Sequence, residues 1–295
     1  MLLNYKQFIL SFHFDEEISV NINTLSVLRS ILGMNLKSMC CIVTNTDCRE
    51  CLYSKTCVYS SLFESIIPKN TEIYKGRDTA PHPYLVSADD LLKNNKKDMV
   101  SISFVLFGKY IDYFPYIYGA FARGGKKGYG KKRIQFSVEV VDFEPENVQM
   151  NTWKSSESEQ MKEGEIFIRL KTPLRYKSGG IFANKVETKE LMNCFYRRAK
   201  TICGFYGEYS DENDCYDSDC TEFDVVESNI MWCENNRYSS RQHSEMSLGG
   251  MLGDFKLKGK FRQKDLNLIE FARLFGAGKN TNFGLGQIEV WNNLE

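Results

Sequence analysis

The chain has 295 residues, with 38 lysines and arginines balanced by 38 aspartates and glutamates. Its apolar and charged fractions are those of a globular protein, and its length leaves room for two ordinary domains. A formal net charge of zero excludes a uniformly basic nucleic-acid binder, so any such surface must arise by local segregation of charge. Met1–Lys37 lacks a signal-peptide layout and no apolar run approaches a membrane span, which points to a cytoplasmic protein that does not meet a membrane. The ten cysteines are then expected as reduced thiols, some of them bound to metal.

Lys6–Val20 alternates apolar and polar residues (Phe8, Leu10, Phe12, Phe14) and reads as a strand. His13 falls between the buried positions, on the opposite face, where a structural role is expected. Leu25, Leu28, Leu32, Leu36 and Met39 recur at helical spacing behind a cap at Asn23 or Thr24, with Arg29 and Lys37 elsewhere on that helix. Cys41, Cys48, Cys51 and Cys57 follow, separated by six, two and five residues. Cys48-x-x-Cys51 suits a tight metal knuckle, and four thiolates can complete one tetrahedral structural zinc site. Iron–sulfur ligation uses the same atoms and is the less favoured alternative. Pro81-His82-Pro83-Tyr84 reads as a rigid structural turn into Leu85-Val86.

Asp98–Gly108 is a predicted strand. Tyr113, Ile117 and Phe121 mark a short helix with Pro115 in its first turn. A loop from Gly124 to Arg133 and a strand Ile134–Val141 come next. The basic residues here, Arg123, Lys126, Lys127, Lys131, Lys132 and Arg133, are interleaved with Tyr129 and Phe136. That is a composition suited to phosphates and unpaired bases. Asn147–Glu163 is polar and reads as a linker.

In the second half, Gly164–Leu174 is a strand and Thr188–Phe205 a helix bearing Arg197 and Arg198. Glu208–Asp224 is an acidic loop with Cys215 and Cys220, expected to be solvated. Strands at Phe223–Cys233 and Gly250–Phe261 flank a polar connection containing Arg237, Tyr238, Arg241 and His243. Asp265 can cap a helix whose Leu268, Phe271, Ala272 and Phe275 share a face. The Gly276–Gly286 loop, with Lys279, then leads into a last short strand. Its glycines permit positive φ, and successive N–H groups there can form an anion site. A dinucleotide-binding reading fails, because that motif runs strand–glycines–helix and this one runs helix–glycines–strand.

Helix, Gly/Lys loop and strand thus occur twice, each copy beginning Phe-Ala-Arg (at Phe121 and Phe271), as an internal duplication would give. Each half reads strand–helix–strand–strand–helix–strand, the split βαβ order. The fold expected is α+β, with two tandem ferredoxin-like (RRM-like) domains. The first spans 1–146 with a cysteine-rich insertion at about 40–60, 147–163 is a linker, and the second spans 164–295.

Gly278-Lys279 followed by Phe283-Gly284-Leu285-Gly286 resembles the C-terminal signature of the CRISPR precursor-RNA-processing endoribonucleases of the RAMP superfamily. Thr172-Pro173-Leu174, Arg197-Arg198, Arg237-Tyr238-Ser239 with Arg241-Gln242, and Gly249-Gly250 with Gly253 extend the similarity over most of the chain. The cysteine cluster followed by Tyr59–Phe63 is also similar to segments in many members. The resemblance implies binding of CRISPR repeat RNA (crRNA), possible association with effector subunits, and a cut that needs no metal. In that cut the 2′-hydroxyl attacks the phosphate, leaving 2′,3′-cyclic phosphate and 5′-hydroxyl ends. His243, Lys279, Tyr238 and Arg241 are the catalytic candidates. Arg237 and the glycines Gly276, Gly278, Gly284 and Gly286 join the basic residues between Arg123 and Arg133 as expected RNA contacts. Many relatives have a histidine where Gly276 stands, so no histidine role is carried to that place. A histidine-free mechanism using Tyr238, Lys279 and an arginine is a further possibility. So is a non-catalytic RAMP subunit that binds crRNA without cutting it.

Overall fold

The computed structural model describes residues 1–44, 46–67, 79–141, 150–156, 158, 160–209, 216–239 and 244–295. They form two compact units. One comprises Leu2–Trp153 and Ile202–Glu208; the other comprises Met1, Lys154–Thr201 and Tyr209–Glu295. No helix among the described residues is long and apolar enough to cross a membrane.

In the first unit the order is β1 (Leu2–Val20), α1 (Thr24–Cys40), β2 (Tyr84–Ser87), β3 (Asn95–Phe107), α2 (Phe114–Lys127), β4 (Phe136–Val141) and β5 (Asn151–Lys154). The sheet runs β2-β3-β1-β4 and β5 also pairs with β1. Period-two alternation in β1 places Phe8, Leu10, Phe12 and Phe14 on one buried face, under Leu25, Leu28, Leu32 and Leu36 of α1. Burial of each such side chain contributes about 1.5–3 kcal/mol. Phe8 stacks on Phe114 at 3.6 Å, and Phe12 meets the edge of Phe121 at 5.0 Å, joining α2 to the sheet.

The second unit runs β6 (Lys162–Leu174), a two-residue hairpin β7 (Lys177–Ser178) and β8 (Ile181–Phe182), then α3 (Thr188–Tyr206) and β9 (Glu222–Cys233). A hairpin β10 (Asn236–Ser239) and β11 (Ser244–Ser247) follows, then β12 (Gly250–Phe261), α4 (Gln263–Phe275) and β13 (Ile288–Leu294). Its sheet order is β13-β6-β12-β9. Leaving aside the small hairpins and β5, each sheet places its four strands in the order fourth, first, third, second. All pairs are antiparallel. That is the split βαβ arrangement expected for each half.

Several local expectations change. Gly124 and Gly125 are not loop residues but lie in the last turns of α2. A Cβ on Gly124 would sit 2.3 Å from Ile31 Cγ2, and one on Gly125 2.0 Å from the Phe136 carbonyl oxygen. These glycines let α2 approach α1 and β4 closely. The stretch expected as a linker, 147–163, contains β5 and the first two residues of β6, and one of the chain's crossings between units falls at Trp153–Lys154. Asn23 occupies the cap position of α1 without a side-chain cap bond. Asp265 is the third residue of α4 rather than its cap. It accepts from the Arg262 N–H at 2.9 Å and takes the Arg262 guanidinium on both oxygens.

Candidate functional site

The Gly-rich loop is built by close backbone approach. Gly276, Gly278, Gly284 and Gly286 all have positive φ, as does Asn280. A Cβ at Gly286 would lie 1.9 Å from the Ala277 oxygen and one at Gly278 2.2 Å from the Arg175 oxygen. The Ala277 N–H donates to Gly286 O at 2.7 Å, Lys279 N–H to Arg175 O at 2.8 Å, and Gly286 N–H to Pro173 O at 3.1 Å. Burial pushes the thiol of Cys194 up to about 11, an effect that neighbouring Arg197 and the Gly278 backbone oppose. Of these N–H groups, read from sequence as an open anion site, those of Lys279 and Gly286 are spent on Arg175 and Pro173, and that of Ala277 on the loop's own Gly286 carbonyl. The Lys279 side chain remains exposed.

Two arginines organise this region. Arg198 of α3 donates through Nε to Gly276 O at 2.8 Å, and through Nη2 to Phe275 O at 2.7 Å and Thr281 Oγ1 at 2.9 Å. The residue keeps some surface, but its head is enclosed by these acceptors. Burial pulls it down to about 10, so it stays charged at neutral pH. Arg175, at the end of β6, is buried. Its carbonyl holds Lys279 N–H, and its Nη1 donates to Ser247 O at 2.7 Å, at the foot of the β10–β11 hairpin. Arg175 therefore brings the hairpin foot and the Gly loop together. Sequence reading passed over Arg175, whose only signal was its place at the end of a strand. Of the candidates on the hairpin, Arg241 and His243 lie outside the described residues, and only the backbone of Arg237 and Tyr238 is described.

In the first unit, Arg123, Lys126, Lys127, Lys131, Lys132 and Arg133 are all exposed around the C-terminal end of α2. Among the described residues none of them takes part in an ion pair. Tyr129 pairs with Ile134 across the turn, and its ring packs on Phe14 at 5.3 Å. This is the local segregation of positive charge that a neutral chain requires for an RNA surface.

Cys41, Cys48, Cys51 and Cys57, with Cys40, line one cavity of about 200 Å³ between α1 and a π-helical turn, Ser60–Glu64. Burial, then neighbouring Cys57 and Cys41, push the Cys40 thiol up. All these thiols are free. Among the described residues no three metal-ligating groups converge on one ion position. The donor set of four thiolates fits zinc. Cys215 is outside the described residues; Cys220 donates to Asp217 Oδ2 at 2.9 Å.

The remaining histidines differ sharply. His13 is exposed on the sheet face away from the core and pairs with Glu139 Oε1 at 2.9 Å. His82, expected as a plain turn residue, is half-buried. Its Nε2 lies 2.9 Å from Arg29 Nη2 and its Nδ1 3.3 Å from Ser65 Oγ.

Comparison with known proteins follows this geometry. An N-terminal-domain family (AF_1859_N) matches residues 3–165, and the CRISPR-associated endoribonuclease Cas6 family matches residues 168–288. No curated protein matches the chain. Among solved structures, Thermus thermophilus Cas6 (TTHB231) in a product complex is 10% identical, with a TM-score of 0.55 over 98% of this chain and 99% of that one. The product complex of another Cas6 (TTHA0078) is 13% identical, with a TM-score of 0.51 over 99% of this chain and 100% of that one. A partial Cas6-RT-Cas1--Cas2 complex is 10% identical, with a TM-score of 0.57 over 99% of this chain and 46% of that one. At such identities these likenesses are of fold: a two-unit, antiparallel α/β architecture. Residues 168–288 thus match the Cas6 family of CRISPR-associated endoribonucleases, and the chain as a whole resembles Cas6 structures in fold.

Proposed function

We propose that this protein binds CRISPR repeat RNA in the cytoplasm and cuts precursor transcripts into crRNAs without a catalytic metal. The 2′-hydroxyl beside the scissile bond attacks phosphorus, leaving a 2′,3′-cyclic phosphate and a 5′-hydroxyl. Such a cut needs a proton acceptor, a proton for the leaving oxygen and cations for the phosphorane. The sequence nominates His243 for a proton, Lys279 or Arg241 for the phosphorane, and Tyr238 as an alternative donor. The contact made by Arg175 between the hairpin foot and the Gly loop supports grouping these residues. The observation that carries RNA binding is the cluster of six exposed cations at the end of α2.

The test is incubation of the purified protein with repeat RNA in EDTA, with product ends analysed. Cleavage to cyclic-phosphate ends supports the reading. Binding without cleavage in EDTA and in magnesium alike supports instead a crRNA-binding RAMP subunit. The proposal includes one structural zinc held by Cys41, Cys48, Cys51 and Cys57, supported by the thiols sharing a single cavity. This ion would close the segment after α1 and has no part in the cut.

A further inference from the structure

Directly after β6 the chain turns back on itself in Arg175-Tyr176-Lys177-Ser178-Gly179-Gly180-Ile181-Phe182. Gly179 and Gly180 have φ of 58° and 88°, as a two-residue hairpin turn of the primed type requires. Nothing lies within 4 Å of a Cβ built on either, so these glycines serve the turn and not packing. Alternation sends Tyr176 one way, with its hydroxyl on Lys185 O, and Arg175 and Lys177 the other. Both cations meet the ring of Phe182, Arg175 at 4.4 Å and Lys177 at 5.5 Å from its centre. Phe182 stands directly opposite Lys177 in the hairpin register. The ring is half-buried, Lys177 is exposed, and Ile181 beside it is 75% exposed. Neither cation has an acid paired with it among the described residues. The Arg175 side chain is buried, its one hydrogen bond goes to the Ser247 carbonyl, and its Nε has no partner. Two like charges on one ring, one of them buried, form an arrangement that an anion would relieve.

We infer that the β7–β8 hairpin is an RNA-binding element, in which Phe182 stacks an unpaired base and Lys177 takes the adjoining phosphate, beside the Gly loop. This rests on the RNA-binding reading above. An aromatic ring offers a surface to any base, and a lysine ammonium is a point charge for phosphate. Arg175 supplies a fixed charge against the ring. Its carbonyl, holding Lys279 N–H at 2.8 Å, ties the start of the hairpin to the Gly loop. An unpaired nucleotide fits better than a duplex, whose bases are already stacked on each other. RNA fits better than a protein segment, because the stretch from Arg175 to Phe182 carries two cations and no carboxylate. Pinning the hairpin to the body needs only Arg175 and Phe182; the second cation, on the exposed side, is what a phosphate would use.

The experiment is equilibrium binding of the full-length protein to repeat RNA carrying 2′-fluoro groups, which lacks the attacking hydroxyl, over a series of salt concentrations. Phe182→Leu keeps an apolar side chain against Arg175 but removes the aromatic face. It should weaken binding roughly 5- to 150-fold at an unchanged salt slope. Phe182→Tyr keeps the ring and should bind as the parent does. Lys177→Ala should lower the salt slope by about 0.7, the value for one phosphate contact on a single strand. Parent-like binding by Phe182→Leu, or an unaltered slope in Lys177→Ala, overturns the inference. Equal losses in Phe182→Leu and Phe182→Tyr also overturn it, because the ring would then only pin Arg175. Should Phe182→Leu lose its fold, the slope of Lys177→Ala decides alone, since that side chain is exposed. A parent that does not bind the RNA at all overturns the RNA-binding reading and this inference with it, whereas a parent that binds alongside parent-like variants overturns this inference only.

Discussion

Arg198 illustrates what one side chain does for the second unit. It satisfies the terminal carbonyls of α4, at Phe275 and Gly276, and the Thr281 hydroxyl, acceptors that a helix end otherwise leaves orphaned. Removing it as Arg198→Ala should destabilise the protein by about 2–4 kcal/mol, since bonds from a charged donor are lost and their acceptors stay buried. Arg198→Lys should recover little of this, because an ammonium cannot reach the same acceptors in a planar fork. Urea unfolding of the three proteins measures both outcomes; equal midpoints would show that the loop holds without this brace. Tyr84 is a contrasting residue: burial pushes its phenol up, an effect that neighbouring Arg29 opposes.

At the scale of elements, the two Gly/Lys segments turn out to be physically different. The C-terminal one is a folded-back loop whose glycines are demanded by backbone contact. Gly286→Ala would place a methyl 1.9 Å from the Ala277 oxygen in a backbone at φ 72°. It should therefore lower the thermal midpoint and weaken RNA binding together. A variant as stable as the parent would mean that the loop can shift to accommodate it. The first segment is a helix end. Gly124 serves the packing of α2 on α1 and Gly125 its packing on β4, and the cations are left to solvent. Replacing Lys126, Lys127, Lys131 and Lys132 with alanine should leave the fold intact but flatten the salt dependence of RNA binding. The slope should fall by up to about 3 if each meets a phosphate of single-stranded RNA. An unchanged slope in a salt titration would exclude this surface as the phosphate contact.

For the molecule as a whole, the neutral chain concentrates free cations at one end of α2, while the lysines of the β12 face, Lys256, Lys258 and Lys260, are paired with Glu165, Glu227 and Glu163. Overall charge is therefore a poor guide to nucleic-acid binding here. In the proposed reading the cysteine segment stabilises the chain and takes no part in the cut. Protein prepared without chelator should carry about one equivalent of zinc, as a closed four-thiolate site binds. Cys48→Ser with Cys51→Ser should abolish it, and chelation should lower the thermal midpoint while EDTA leaves the cut in place. Metal content unchanged in the double variant would remove Cys48 and Cys51 from the ligand set.

The order of elements was legible in the sequence because it is written in local periodicity. The alternation of Phe8, Leu10, Phe12 and Phe14, and the helical spacing of Leu25 to Leu36, depend on neighbours only a few residues away. The twofold strand–helix–strand–strand–helix–strand pattern, and with it the ferredoxin-like sheet order, follows from the same local signal. Gly124 and Gly125 were misread because glycine beside lysines suggests a loop, whereas the close approach of Ile31 and Phe136 that favours glycine there is a tertiary contact. The candidate site was less legible for the same reason. Arg175 meets Ser247 and Arg198 meets Gly276 across 72 and 78 residues of chain. An arginine near the end of a strand carries no local mark of such a partner. Only folding, which closes these loops and trades hydration of the side chains for fixed acceptors, decides which polar residues become part of a site.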